Sequence, residues 1–117
     1  MKICILGGTG FVGRSLISAL SKENYTITVI TRDFDKNKDL AIYPNLKLIQ
    51  EDVYNEKRML EVSKSHDVLI NLIGILNEKG FRGKGFYLAH SKIARIILNV
   101  CKQNRIKRIL HMSALNA

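Results

Sequence analysis

Short apolar runs alternate with segments of helical periodicity along the chain. Residues 2–6 are a nearly continuous apolar run and residues 25–31 are rich in β-branched side chains, and both patterns predict buried strands. In 11–21 and 87–103, apolar side chains recur every three or four positions, which predicts amphipathic helices. The same criteria predict the other elements, namely strands at 46–50, 67–73 and 107–112, a helix at 56–65, and loops at 33–45 and 77–86. For residues 33–45, one loose helical turn is the alternative to a loop.

The order of these elements defines the fold class. Strands that alternate with helices are joined by right-handed crossovers into a parallel sheet, with helices on both faces. We therefore expect a single α/β domain over residues 1–117, an open parallel sheet with strand order 3-2-1-4-5 that binds ligands at the carboxyl ends of its strands. A composition of 46% hydrophobic and 25% charged residues agrees with one globular domain and argues against disorder.

A glycine-rich segment joins the first predicted strand directly to the first predicted helix, with the sequence Gly7-Gly8-Thr9-Gly10-Phe11-Val12-Gly13. Gly7 permits a tight turn, Gly10 lets the backbone approach a pyrophosphate, and Gly13 allows the helix to pack closely on the sheet. The helix N-terminus offers N–H groups and a partial positive charge to phosphates. In this context the segment predicts a Rossmann-type dinucleotide site; a glycine turn that binds nothing is the alternative.

The end of the second predicted strand bears on the choice of cofactor. An acidic residue there accepts hydrogen bonds from the ribose 2′-OH of NAD, whereas a cation accommodates the 2′-phosphate of NADP. The sequence gives Thr31, Arg32 and Asp33. Arg32 can bind a phosphate with two N–H groups, so NADP(H) is favoured. Asp33 keeps NAD(H) as the alternative, because a longer strand would put it in the acidic position.

The basic residues are unevenly distributed. The chain has 19 Lys and Arg against 10 Asp and Glu, and residues 74–117 carry nine of the basic residues and only Glu78. Such charge can attract nucleic acid or an anionic membrane surface, or it can be a solvated outer face, which we favour. Nucleic acid is disfavoured because aromatic platforms are few in this region. The basic loop 79–85 is likewise expected to be solvated, with contact to a cofactor phosphate or an anionic substrate as the alternative.

The cysteines and histidines predict no disulfide framework and no metal site. Cys4 and Cys101 are far apart in the sequence and are expected to be buried, reduced thiols of a cytosolic-type compartment. His66 is expected to be exposed, and the three isolated histidines lack the spacing of metal ligands. No signal peptide or membrane-spanning run is expected. The expected location is the cytoplasm, including the periphery of an inner membrane, or the mitochondrial matrix.

Four segments resemble the extended and atypical short-chain dehydrogenase/reductase superfamily, which includes NAD-dependent epimerases and dehydratases. They are the glycine segment 7–13, Glu51-Asp52-Val53, Asn71-Leu72-Ile73-Gly74-Ile75-Leu76, and Arg108-Ile109-Leu110-His111-Met112-Ser113-Ala114. The resemblance implies that Asp52 faces the adenine amino group and that Val53 packs beside the ring. It also implies that the segment around Leu72, Ile73 and Gly74 runs beneath the cofactor, with Thr9, Phe11 and Val12 in the phosphate loop.

A narrower resemblance is carried by the sequence NLIGIL, by His90 and by the sequence HMSALNA. These features are similar to the branch that contains the accessory nucleotide-binding subunit of respiratory complex I. That branch implies tightly held NADP(H) in a structural or complex-assembly role. It also implies a larger protein complex or a peripheral membrane association as partner.

The chain departs from the superfamily in length. Its members usually exceed 200 residues, and their acid/base pair, Tyr-x-x-x-Lys, is expected beyond Ala117, so we expect this chain to lack it. Ser113, at the end of the fifth predicted strand, is the catalytic or cofactor-binding candidate in the last part of this chain. The alternative is that Ser113 is only a small polar residue that closes the strand. An oxidoreductase or sugar-nucleotide epimerase with its active residues in a missing C-terminal part is the second functional hypothesis. A sheet that stops at the fifth strand has an open edge, which predicts marginal stability or self-association.

Overall fold

The computed structural model describes residues 1–7, 10–73 and 84–111, with the backbone alone for 84–91 and 111. The elements follow the chain in the order β1 (Lys2–Leu6), α1 (Phe11–Ser21), β2 (Thr26–Thr31), α2 (Phe34–Asn37), a 3-10 helix (Lys38–Ile42), β3 (Leu46–Gln50), α3 (Glu56–Val62), β4 (Val68–Asn71), α4 (Lys84–Gln103) and β5 (Arg108–His111).

All five strands pair in parallel, in the order β3-β2-β1-β4-β5. The predicted fold class and strand order are therefore confirmed. Leu6, the last residue of β1, is in register with Ile30 of β2 on one side and with Asn71 of β4 on the other. The carboxyl ends of these three strands consequently meet at one edge of the sheet, directly beside the glycine segment.

The central strand β1 is packed on both faces. Ile3 and Ile5 belong to a hydrophobic cluster with Ile17 of α1 and Leu40 of the 3-10 helix. The alternate residues of β1 belong to a second cluster, which contains side chains of α3 and α4. Full burial of one such side chain stabilises a fold by about 1.5–3 kcal/mol. Two filled layers therefore fix the central strands from which the site residues project.

Several elements differ from their predicted bounds for local reasons. The segment 33–45, predicted as a loop or one loose helical turn, contains two short helices. Asp33 caps the first of them by accepting a hydrogen bond from the backbone N–H of Lys36. Strand β4 stops at Asn71, whose Oδ1 accepts from the N–H of Ile73. Helix α3 ends at Val62, three residues early, and the chain turns at Ser65 with φ +65°.

Helix α4 starts at Lys84, so the loop predicted at 77–86 is helical from that residue on. The part of this loop before Lys84 lies outside the described residues, and so does Met112, the last residue of the predicted fifth strand. No helix in the described ranges is long and apolar enough to cross a membrane. Leu98 on α4 and Leu110 on β5 are half exposed or more. Self-association of the chain stays a prediction.

Candidate functional site

The turn after β1 is as tight as the glycine segment predicts. Gly7 has φ +76°, a left-handed conformation that glycine adopts without strain. Its N–H donates to the carbonyl oxygen of Ile30 at 3.1 Å. A Cβ atom on Gly7 would lie 2.7 Å from Cγ1 of Ile73, so the segment after β4 passes directly against this turn. A larger residue than glycine would therefore strain the backbone at this position and would displace Ile73.

Helix α1 begins at Phe11 behind an N-cap, Gly10, that has no side chain with which to bind the helix N–H groups. The first N–H groups of a helix have no intrahelical partner, and the first turn of α1 contains no acidic residue. An anion is the partner that such a terminus favours. Gly13 is buried, in agreement with its predicted packing role, whereas Phe11 is 82% exposed.

The carboxyl ends of β2 and β3 line an open cavity of about 290 Å³, which is formed by Arg32, Gln50, Glu51 and Asp52. Arg32 is exposed and is the cation of this lining. The cavity thus brings together Arg32 and Asp52, the two polar residues that the sequence assigns to opposite ends of an adenosine.

The two acidic residues of this cavity differ in their partners. Glu51 accepts a hydrogen bond at 2.9 Å from Nε of Arg58, a contact that raises the pKa of this guanidinium. Asp52 Oδ1 accepts from the backbone N–H of Tyr54 at 2.9 Å, which fixes the turn after β3. Glu51 is therefore charge-compensated from α3, and Asp52 is the exposed carboxylate that the turn holds at the cavity.

Two predicted cofactor contacts have buried side chains. Val53 is 5% exposed in the cluster beneath α3 and α4, and Leu72 is 6% exposed in the cluster beneath α1. These side chains hold the two loops onto the core, so a ligand would reach these positions mainly through their backbone. Ile73 is half-buried beside Gly7. Thr9, Gly74 and Ser113 lie outside the described residues, and their roles stay predictions. The side chain of His90 lies outside them as well.

A polar network that sequence reasoning missed connects α1 to the end of β2. Arg14 donates from Nη1 to Asp39 Oδ2 at 2.6 Å and from Nη2 to Asn37 Oδ1 at 2.9 Å. The Nδ2 group of Asn37 donates to the carbonyl oxygen of Asp33 at 2.7 Å and to Oγ1 of Thr31 at 3.3 Å. In the sequence, this network is indicated only by an arginine directly after the last glycine of the motif. The partners of this arginine are 23 and 25 residues away, so the sequence does not reveal them.

The family model for NAD(P)H-binding proteins matches residues 7–117, which include the glycine segment and the cavity residues. The chain belongs to the NAD(P)H-binding family. This NAD(P)H-binding chain is 26% identical over 116 residues to the mitochondrial NADH-ubiquinone oxidoreductase 40 kDa subunit of Neurospora crassa, covering 97% of the chain and 30% of that protein. The predicted resemblance to this complex I branch is confirmed.

Solved structures share the fold of this chain. An oxidoreductase from Lactococcus lactis is 28% identical, with a TM-score of 0.73 over 95% of this chain and 47% of its own. The dTDP-glucose 4,6-dehydratase of Bacillus anthracis, solved in complex with NAD, shares the fold at 19% identity, with a TM-score of 0.72 over 95% of this chain and 36% of its own. The NAD(P)H-binding chain therefore spans less than half the length of each of these relatives.

Two further expectations are corrected. His66 is buried rather than exposed, because Thr28 Oγ1 at 2.9 Å and the Lys64 carbonyl oxygen at 3.0 Å replace its water contacts. The Tyr-x-x-x-Lys spacing does occur once, at Tyr43 and Lys47, but these residues flank the amino end of β3, on the edge opposite the glycine turn. Within the described residues, no three His, Cys, Asp or Glu side chains form a metal-binding group.

Proposed function

We propose that this chain binds NADP(H), with the diphosphate at the N-terminus of α1 and the adenosine 2′-phosphate at Arg32. The observation that carries the proposal is the position of Arg32, an exposed cation in the cavity at the carboxyl end of β2. A guanidinium binds phosphate oxygens through paired, charge-assisted hydrogen bonds. Asp52 at the same cavity has an oxygen available to the adenine amino group.

The position of Asp33 supports NADP(H) over NAD(H). Strand β2 ends at Thr31, and Asp33 accepts from the N–H of Lys36 as the N-cap of α2. An aspartate that caps a helix is held by the main chain and is less available to a ribose hydroxyl. The Thr31 hydroxyl is likewise engaged, because it accepts from the N–H of Asp33 at 3.1 Å.

Calorimetric titration with NADPH and NADH tests this proposal. The wild-type chain should bind NADPH more tightly, and Arg32→Ala should weaken NADPH about tenfold or more, since hydrogen bonds to charged groups contribute about 1.5–3 kcal/mol. NADH affinity should stay within about twofold, because its ribose lacks the phosphate. Lys57→Ala removes an exposed cation from α3 and serves as the matched control. A preference for NADPH that survives Arg32→Ala, or no heat with either nucleotide, would overturn the proposal.

The biological role that we propose is structural, with the bound nucleotide stabilising a component of a larger complex in the cytoplasm, including the periphery of an inner membrane, or in the mitochondrial matrix. The similarity to a complex I subunit supports this role. Native electrophoresis of membranes that contain the tagged natural protein tests it. Migration with a large complex that is lost in the Arg32→Ala variant is the expected result. Migration at the size of the free protein would contradict it.

A catalytic role is the second candidate, and the similarity to a Lactococcus oxidoreductase favours it. In that case this chain supplies the nucleotide site and residues outside it supply the acid and base. The structural and the catalytic role can be distinguished by incubating the full-length protein with NADPH and carbonyl substrates. Oxidation of NADPH is followed by the absorbance of its nicotinamide band. Turnover would favour catalysis, and bound NADPH without turnover would favour the structural role.

A further inference from the structure

The backbone on both sides of Arg32 is fixed by one buried side chain. Asn37 is 8% exposed, and its amide nitrogen donates to the carbonyl oxygen of Asp33 and to the hydroxyl of Thr31. The Thr31 hydroxyl in turn accepts from the N–H of Asp33 at 3.1 Å. Thr31 and Asp33 are the two neighbours of Arg32 in the chain, so the direction in which Arg32 leaves the backbone depends on the position of Asn37.

Asn37 is held in turn from another element. Its Oδ1 accepts from Nη2 of Arg14 at 2.9 Å, and the same guanidinium donates to both carboxylate oxygens of Asp39, at 2.6 and 3.3 Å. The planar geometry of arginine matches this paired arrangement, and lysine cannot reproduce it. Arg14 lies on α1, which is fixed to the sheet by the fully buried Ile17. Arg14 therefore connects a rigid helix to the turn that carries Arg32.

We infer that Arg14 is a positioning residue for cofactor discrimination, acting through Asn37 on Arg32. A guanidinium recognises a phosphate with two hydrogen bonds only when its plane is correctly oriented. A small shift of the backbone at Arg32 therefore reduces the affinity that the 2′-phosphate adds to NADPH binding. The inference rests on the proposed function, because it assigns to Arg14 a share of the preference for NADPH over NADH.

The exposure of the ion pair indicates that Arg14 affects local geometry more than global stability. The side chains of Arg14 and Asp39 are 35% and 65% exposed. Exposed pairs of this kind contribute little to the free energy of unfolding. Loss of the pair should therefore leave the domain folded while the turn at 31–39 becomes less well fixed.

Arg14 could instead act directly on the diphosphate, since it lies in the first turns of α1 near the glycine segment. The diphosphate is common to NAD and NADP. A direct contact would change the affinities for NADPH and NADH by the same factor, whereas an effect through Arg32 would change NADPH alone. The ratio of the two dissociation constants therefore separates the two mechanisms.

A double-mutant cycle measures this ratio in wild type, Arg14→Lys, Arg32→Ala and the double variant. Arg14→Lys keeps the charge and removes the paired geometry, and it should lower the preference for NADPH about fivefold, equivalent to about 1 kcal/mol. In the Arg32→Ala background the same change should have no further effect on the ratio. Arg95→Lys on α4, an exposed arginine far along the chain, is the matched control and should leave the ratio unchanged.

The outcomes are distinguishable. An equal loss for NADPH and NADH in Arg14→Lys, or an undiminished effect in the Arg32→Ala background, would overturn the inference and leave the proposed function intact. Failure of the wild-type chain to prefer NADPH would overturn the proposed function itself. Should Arg14→Lys not fold, hydrogen–deuterium exchange of Asp39→Asn provides the test: faster exchange confined to 31–39 supports the positioning network, and unchanged exchange there contradicts it.

Discussion

A Cβ atom built on Gly7 would lie 2.7 Å from Cγ1 of Ile73, closer than side-chain atoms approach one another in folded proteins. The two residues belong to the turns after β1 and β4, the neighbouring strands at the centre of the sheet. The missing side chain of Gly7 thus lets the two turns close against each other at the carboxyl edge, where the dinucleotide is expected.

Gly7→Ala should destabilise the chain by about 2–5 kcal/mol, because a left-handed backbone costs an L-residue about 1–2 kcal/mol and overpacking costs about 1–3 kcal/mol. Urea denaturation measures the effect. Repeating the substitution in an Ile73→Ala background removes the overlap and keeps the backbone strain, so the cost should be smaller there. An identical cost in both backgrounds would show that contact with Ile73 is not part of the effect.

Cys4 and Cys101 should resist alkylation in the folded chain. Burial, with a smaller contribution from the nearby Cys101, raises the pKa of Cys4 to about 12, and burial raises the pKa of Cys101 to about 11. The reactive species is the thiolate, so iodoacetamide at about pH 8 should label neither residue unless urea is added. Mass spectrometry of the intact chain measures the labelling, and rapid modification without denaturant would contradict the prediction.

The same thiols predict a loss of stability in alkali. Their pKa values are higher in the folded than in the unfolded chain, so the unfolded state releases protons first as the pH rises. The free energy of unfolding should be unaffected by these groups below about pH 9 and should fall above it. The test is to measure the urea midpoint of wild type and of Cys4→Ala at several pH values in that range. The slope of the midpoint against pH should be smaller for Cys4→Ala. Parallel slopes would exclude a contribution from Cys4.

Acidification should loosen the turn at 31–39. The hydrogen bond and charge of Arg14 lower the pKa of Asp39, so the pair is intact at neutral pH and is lost only as the pH falls below the ordinary aspartate value, about 4. NMR signals of the Asn37 side-chain amide should shift in that acid range. In Asp39→Asn the acid-range shift should disappear, and its persistence would assign the titration to another carboxylate.

Thr28→Val should destabilise the chain by about 1–3 kcal/mol, the cost of leaving a buried polar group unsatisfied. The substitution removes the hydroxyl that lies 2.9 Å from Nε2 of the buried His66 and keeps the β-branched shape. Thr26→Val on the same strand is the matched control, because Thr26 is exposed. Thermal unfolding measures both variants, and equal midpoints for the two would contradict the role of the hydroxyl.

The sequence was informative where the relevant contacts are local. The parallel sheet follows from the alternation of strands and helices, and its order is the usual one for this fold class. Gly7 and Arg32 could be located at strand ends because each belongs to a short local pattern. The burial of His66 could not be foreseen, because its partner Thr28 is 38 residues away. The two short helices at 34–42 were foreseen only as one loose helical turn within a loop, although the cap that starts the first of them, from Asp33 to the N–H of Lys36, is local. Contacts of long sequence separation, such as those of His66 and Arg14, leave no periodic pattern, so the sequence did not predict them.

The polar support of the chain between Thr31 and Asp39 has an evolutionary consequence. Hydrogen bonds and an exposed ion pair hold this stretch, whereas the adjoining strands are fixed by two apolar layers. Substitutions at its exposed positions can accumulate at little cost to folding, unlike changes at the buried Thr31 and Asn37. A lineage could therefore exchange one nicotinamide coenzyme for the other by altering a handful of surface positions, while the scaffold beneath them stays as it is.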